Sequence, residues 1–271
     1  RPAKKRARMS ESDPQNGTDS SLMFDPSLHD RALAGWGIRR RRGDLAHEEK
    51  NSEENILLNS PEDSTLKGAS TAGCAPPEGN PPVEVLENLD LGSISQLVAS
   101  CERCGLCEHR QNTVFGSGDP SARLMFVGDA PGEEEDLQGL PFVGRSGQLL
   151  DRILSQGLKL TRDSVYITNV LKCRPPESRD PLPEEVQSCG SYLDAQIERV
   201  NPEMIVALGK PAAQFLTGED TSLKRLRGRK HVYKGVPVVV THHPAFLLQQ
   251  PQAKAECWQD LQVVIETLGL K

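Results

Sequence analysis

Leu124-Met125-Phe126-Val127-Gly128-Asp129-Ala130-Pro131-Gly132 runs without a break from four apolar residues into a tight turn that opens on a carboxylate. Three further short apolar runs follow, at residues 165–168, 204–208 and 236–241. All are rich in Val, Ile and Leu and do not alternate with polar residues, as befits strands buried on both faces of a parallel sheet. Between them the apolar period lengthens to that of a helix. Residues 147–158 carry Leu149, Leu150, Ile153, Leu154 and Leu158 on one face, and 184–200 carry Val186, Tyr192, Leu193, Ile197 and Val200 behind Pro183. A short helix is expected at 210–216 and a final one at 251–268, with Trp258, Leu261, Val264, Ile265 and Leu268 inward. Strands alternating with helices predict an α/β fold, a three-layer αβα sandwich around a central, mainly parallel four-stranded sheet. Ligands of such sheets bind outside the carboxyl ends of the strands, so chemistry is expected in the segments that follow them.

Composition separates this region from what precedes it. Residues 1–90 hold one Trp, one Phe and no Tyr, and are crowded with Ser, Pro, Asn, Glu and Asp. Such a stretch buries too little apolar surface to offset its ordering entropy, so a disordered tail is expected over 1–90 and a folded domain over 91–271. Two basic blocks lie in the tail, Lys4-Lys5-Arg6-Ala7-Arg8 and Arg39-Arg40-Arg41-Arg42. They read as solvated charge, with a nuclear address or loose phosphate contacts as the alternative. No apolar stretch follows the basic start as in a secretory signal, and no run approaches the roughly 18–20 residues of a membrane helix. A soluble, cytoplasmic monomer with no membrane association is expected.

The 271 residues carry a net charge of -6, and residues 91–271 are nearly neutral with 20 basic and 22 acidic side chains. Overall charge therefore does not announce a nucleic-acid binder, and affinity for DNA must come from a local patch. Lys224, Arg225, Arg227, Arg229 and Lys230 are one candidate, a solvated basic loop the other reading.

Three of the four strand ends are chemically unusual. The first leads into Gly128-Asp129-Ala130-Pro131-Gly132-Glu133-Glu134-Glu135-Asp136 and then Pro141-Phe142-Val143-Gly144. A carboxylate there can position or deprotonate water, although four acidic residues in a row also read as a solvated loop. The second ends in Thr168-Asn169-Val170-Leu171-Lys172-Cys173-Arg174-Pro175-Pro176. An amide such as Asn169 offers the donor and acceptor needed to read a nucleobase edge, or serves a turn. The fourth ends in Thr241-His242-His243-Pro244-Ala245-Phe246-Leu247-Leu248. A histidine there can stabilise an anionic leaving group, or be structural.

Seven cysteines occur, at 74, 101, 104, 107, 173, 189 and 257. Cys101 and Cys104 form a close pair, and Cys173 and Cys189 a second group. Four thiolates from two segments can hold zinc or an iron–sulfur cluster, and spacing alone leans to zinc. Cys107 is an alternative ligand, while Cys74 and Cys257 read as bystanders.

Taken together, the paired cysteines, the acidic turn, the Pro-Phe-Val-Gly stretch, the Thr-Asn-Val-x-Lys-Cys-Arg-Pro-Pro segment, the further cysteine and the His-Pro pair recur in the order found in family 4 uracil-DNA glycosylases. Residues 101–268 thus resemble the iron–sulfur branch of that superfamily. The resemblance implies a uracil-DNA glycosylase that acts on uracil-containing DNA in base excision repair. It implies a 4Fe-4S cluster, rather than zinc, on Cys101, Cys104, Cys173 and Cys189. It also implies that Phe142 stacks on the extruded uracil, Asn169 pairs with its edge, and His243 (rather than His242) bonds its O2 side. The turn from Gly128 to Ala130 contacts the base, and Asp129 guides the attacking water. The family usually carries Glu at position 129, so the carboxylate here is set back by about 1.5 Å, one carbon–carbon bond. A sister branch that traps DNA covalently has an inserted basic loop after the Asn motif. Residues 175–185 are short and lack it, which points to hydrolysis. Residues 246–248 are candidates for a wedge into the base stack, with core packing expected for at least two of them. The alternatives are a DNA-binding module that has lost catalysis and an electron-transfer protein.

Overall fold

The computed structural model describes Leu86 and residues 88–270. The tail, its two basic blocks and Cys74 lie outside the described residues. Helix α1 (Leu91–Ala99) opens the described chain, capped by Asp90, whose Oδ1 accepts from the Ser93 amide at 2.7 Å. Then come strand β1 (Ser117–Gly118), strand β2 (Leu124–Gly128), helix α2 (Glu133–Gln138), helix α3 (Arg145–Arg152) and strand β3 (Tyr166–Asn169). Helix α4 (Pro183–Val200) leads to strand β4 (Met204–Leu208), helix α5 (Lys210–Thr217) and the single turn α6 (Leu223–Leu226). Strands β5 (His231–Tyr233) and β6 (Val236–Thr241), then helices α7 (Pro244–Gln249) and α8 (Lys254–Leu268), complete it.

All four expected strands form, and they lie side by side in the order β3-β2-β4-β6 with every pairing parallel. The sheet nevertheless has six strands, not four. Two- and three-residue strands, β1 against β3 and β5 against β6, add antiparallel edges. Segments this short carry no apolar run of their own, and β5 exposes Val232, so the sequence pattern is silent there.

Alternate residues of each strand face opposite layers, which divides the core in two. Leu124, Phe126, Ile167, Val206 and Val239 pack beneath α3, α7 and α8, where Leu150, Leu247, Trp258 and Val264 are buried. Met125, Val127, Ile205, Ala207 and Val240 pack on the other side against Leu193 and Ile197 of α4 and Ala212 and Leu216 of α5. The expected helix at 147–158 begins at Arg145 and ends in a wider π turn, Ile153–Leu158, which buries Ile153, Leu154 and Leu158 together.

The acidic run, for which a solvated loop was one of two readings, is largely helix α2. Its side chains sit in the first turn, where the amide dipoles favour negative charge. Repulsion is further relieved because two carboxylates turn inward. Asp136, 2% exposed, accepts from the Gln111 and Asn112 amides at 3.0 and 3.2 Å. Glu135 accepts from the amides of Gly132, Val143 and Gly144 at 3.0–3.1 Å.

Beyond β3, Lys172 is 1% exposed, and its Nζ donates to Thr168 Oγ1 at 2.8 Å, the Asn169 carbonyl at 2.6 Å and Gln196 Oε1 at 2.6 Å. The network ties the strand end to α4. Burial lowers its ammonium from the usual range to about 7. Lys172→Met is expected to leave these acceptors unsatisfied, at roughly 1–3 kcal/mol for each that finds no water. Urea unfolding of the variant measures that loss.

Candidate active site

The parallel strands follow one another outward on both sides of β2: the chain goes from β2 to β3 on one flank, then crosses to β4 and β6 on the other. Connections diverge between β2 and β4, and there a crevice opens at the carboxyl ends of the strands. It holds a cavity of about 410 Å³ lined by Asp129, Ala130, Phe142, Asn169 and His243, five of the six expected substrate and catalytic residues. The sixth, Gly128, lies directly beneath. A methyl group on it would fall 2.3 Å from Asn169 Oδ1 and 2.6 Å from Phe142 Cζ.

Asp129 leaves β2 with its backbone still paired, its carbonyl accepting from Leu171 N at 3.0 Å. Its Oδ1 accepts from the Ala212 amide, in the first turn of α5, at 2.8 Å. Oδ2 lies against Gly209, where any Cβ would come within 2.7 Å of it and 3.2 Å of His243 Cβ. Gly209, at φ 99°, thus lets the carboxylate and the imidazole share one end of the pocket. Burial raises the Asp129 carboxyl to about 7, the Ala212 amide opposing and Asp180 adding to the rise.

His243 caps α7: its Nδ1 accepts from the Ala245 amide at 3.1 Å. An imidazole that accepts at Nδ1 carries its proton on Nε2, which leaves that nitrogen as a donor. Burial lowers the ring's pKa to about 4, with Glu135 opposing. Its centroid is 5.5 Å from that of Phe142. His242 points elsewhere, with Nε2 2.9 Å from Glu256 Oε2 and its ring stacked 5.0 Å from Phe246. The Pro-adjacent histidine is therefore the one in the cavity, as expected.

Asn169 is 2% exposed, and its Oδ1 has no hydrogen-bond partner among the described residues. A buried acceptor left unpaired costs about 1–3 kcal/mol, so it is poised to gain from a donor on a ligand. The far wall comes from Pro175 and residues 178–181, the short segment after the Asn motif. Arg179 is held there by Glu185 through contacts of 2.5 and 2.9 Å. The sequence reading missed Gly209, the Ala212 amide, Glu135 and this wall. A Leu208-Gly209-Lys210-Pro211 step from strand to helix was the available signal for the first two.

The four expected thiols line a second, small cavity together with Val98, Arg103, Arg110, Lys172, Ser188 and Tyr192; Cys107 is not among its lining residues. Arg110 Nη1 donates to Cys173 Sγ at 3.1 Å and the Lys172 amide to Cys189 Sγ at 3.3 Å. Burial pushes the Cys173 thiol up to about 11 and the Cys189 thiol up to about 12, while Arg110 and Lys172 respectively pull them back. Among the described residues no three His, Cys, Asp or Glu side chains are grouped to hold a single metal ion. Cys257 is buried in the core beside Trp258, as a bystander.

In the basic loop, Arg227 is engaged by Asp260 and Glu256, and Arg229 by Glu219. Lys224, Arg225 and Lys230 are exposed. Leu247 and Leu248 pack on the core, whereas Phe246 is 42% exposed. No helix among the described residues is long and apolar enough to cross a membrane.

The family model of the uracil DNA glycosylase superfamily matches residues 115–262. A type-4 uracil-DNA glycosylase of Archaeoglobus fulgidus is 44% identical over 194 residues, 69% of this chain and 96% of that protein. One of Thermotoga maritima is 46% identical over 158 residues, 58% of this chain and 82% of that protein. A type-5 enzyme of Pyrobaculum aerophilum is 34% identical over 145 residues, 47% of this chain and 63% of that protein.

The two titrations are separable in solution. Carbon-detected NMR is expected to show the Asp129 carboxyl losing its proton near pH 7. The His243 ring is expected to stay neutral, protonated on Nε2, down to about pH 5, because its midpoint is about 4. An imidazolium signal for His243 at pH 7 would contradict the assignment.

Proposed function

The chain belongs to the uracil DNA glycosylase superfamily and is a type-4 uracil-DNA glycosylase of base excision repair, and on that footing we propose how its pocket works. Uracil held in duplex must first leave the stack, at a cost of a few kcal/mol. Phe142 offsets part of this by stacking on the extruded base. Asn169 reads the base: its unpartnered Oδ1 accepts from uracil N3–H while the amide NH₂ donates to O4. Cytosine presents the opposite pattern, and sites built on such pairing discriminate by about 10⁴–10⁵. This orphaned acceptor, in one cavity with Asp129 and His243, is the observation that carries the reading.

The reaction is a hydrolysis. The C1′–N1 bond breaks with its electron pair passing to uracil, which leaves an oxocarbenium-like sugar and a uracil anion. His243, neutral and donating from Nε2, stabilises the anion at O2. Ionised Asp129 orients water towards C1′ and takes its proton as the new C–O bond forms, yielding free base and an abasic site. The Ala212 amide aims the carboxylate, which is one methylene shorter than that of Glu. No observation in the site favours the alternative of a DNA-binding module without catalysis. Lys224, Arg225 and Lys230, exposed in one short segment, are the phosphate contacts in this reading. The catalytic domain spans 91–271 and acts inside the cell as a monomer.

Cys101, Cys104, Cys173 and Cys189 are the ligands we assign to a 4Fe-4S cluster. Support comes from four sulfurs facing one cavity, two N–H···S bonds, and a guanidinium and ammonium to balance thiolate charge. When bound, the cluster acts as a staple between the segment after α1, the end of the Asn motif and α4. Hydrolysis transfers no electron, so catalysis draws on the protein's own residues.

Uracil-containing oligonucleotide, incubated with the protein and then heated in alkali, is expected to break at the uracil. Asn169→Ala and His243→Ala are each expected to lose roughly 10²–10³ in rate, as for loss of one preorganised stabilising group. The single-turnover rate should rise with pH through about 7 as Asp129 ionises, with no lower limb from His243 above about pH 5. A flat profile from pH 5 to 8 would remove Asp129 from the water-positioning role. Separately, anaerobically purified protein should be brown, with absorbance near about 400 nm that Cys104→Ser abolishes. Colourless, zinc-loaded protein would rule the cluster out.

A further inference from the structure

Phe142 is the only Phe, Tyr or Trp lining the pocket among the described residues, and its backbone is in the left-handed region, at φ 53°. For a bulky residue that conformation is disfavoured and persists only where the surroundings impose it. The surroundings here are specific. Arg162, 20 residues further along and just before β3, donates from Nη1 to the Phe142 carbonyl at 3.0 Å and from Nη2 to the Pro141 carbonyl. Asp151, on α3, accepts from the same Nη1 at 3.0 Å and so fixes the guanidinium. On the other side of the bend, Glu135 takes the next two amides, of Val143 and Gly144. Below it, Gly147 leaves room for the carbonyl, since a Cβ there would sit 1.7 Å from the Phe142 oxygen. Carbonyls are thus gripped by a cation and amides by an anion, with the strained residue between.

We propose that Arg162 is a positioning residue for uracil excision: its guanidinium grips two successive carbonyls and so holds Phe142 in the conformation that presents its ring to the base. The inference rests on the reading of Phe142 as the stacking platform. Arg162 itself lines no part of the pocket, so it acts through Phe142 and not on the substrate. A planar fork suits this task, because one guanidinium can serve two carbonyls and a carboxylate at once; an ammonium is a point charge without that geometry.

The test is a double-mutant cycle on full-length, cluster-loaded protein, read as single-turnover excision from a uracil-containing duplex. Phe142→Ala is expected to slow excision, and Arg162→Ala to slow it by roughly 10–100-fold, as misplacement of about 1 Å does. In the Phe142→Ala background, Arg162→Ala should cost no more than about twofold, the ordinary error of additivity. Affinity for abasic-site DNA, which has no base to stack, should be unchanged, and Arg162→Lys should not rescue. Asp151→Ala, at a side chain half exposed, provides a second variant that spares the fold, with a smaller loss that also vanishes without Phe142. An Arg162 loss of equal size in both backgrounds overturns the inference while leaving Phe142's role intact. Rescue by Lys, or weaker abasic-site binding, overturns it in favour of a plain charge contact. A Phe142→Ala protein with normal rates overturns both readings together.

Discussion

Asp129 Oδ1 accepts the Ala212 amide across the point where the chain's connections part, and the rest of the site is arranged around that contact. It joins the end of β2 to the start of α5, two segments more than 80 residues apart. It also orients a carboxylate that burial has brought to about 7, so that the group is at once aimed and half ionised near neutrality. Gly209 admits His243 to the same corner. Parallel strands make this possible, because all their carboxyl ends emerge on one side and deliver Gly128, Asn169, Gly209 and His243 to one crevice.

The reading residue is secured differently. Asn169 sits at the last position of β3, and its own carbonyl accepts from buried Lys172. Lys172 is flanked in sequence by Cys173, and its amide donates to Cys189 Sγ. A single short segment therefore carries the pocket's amide, the lysine that clamps it and one thiol of the second cavity. The thiol cavity and Asn169 are thus joined through one short segment by hydrogen bonds of a single lysine.

Much of the fold was legible beforehand. Apolar runs without alternation mark doubly buried strands, and all four were found where that pattern puts them. The two edge strands were not, because two or three residues joined by backbone bonds need no apolar signature. The helix formed by the acidic run was hidden for a related reason. Its repulsion is real in an isolated chain, but helix dipoles and six backbone amide contacts to Asp136 and Glu135 compensate it.

For the site, sequence by itself determined which chemical groups stand at which strand ends: a carboxylate, an amide and an imidazole. Those depend only on residue identity and on strand periodicity, both local. Tertiary structure alone decided their states. Whether Asp129 holds a proton near neutrality, which nitrogen of His243 carries one, and whether Phe142 is forced to φ 53° all depend on burial and on partners distant in sequence. Desolvation and hydrogen bonding are sums over neighbours in space, and only the folded chain says who those neighbours are.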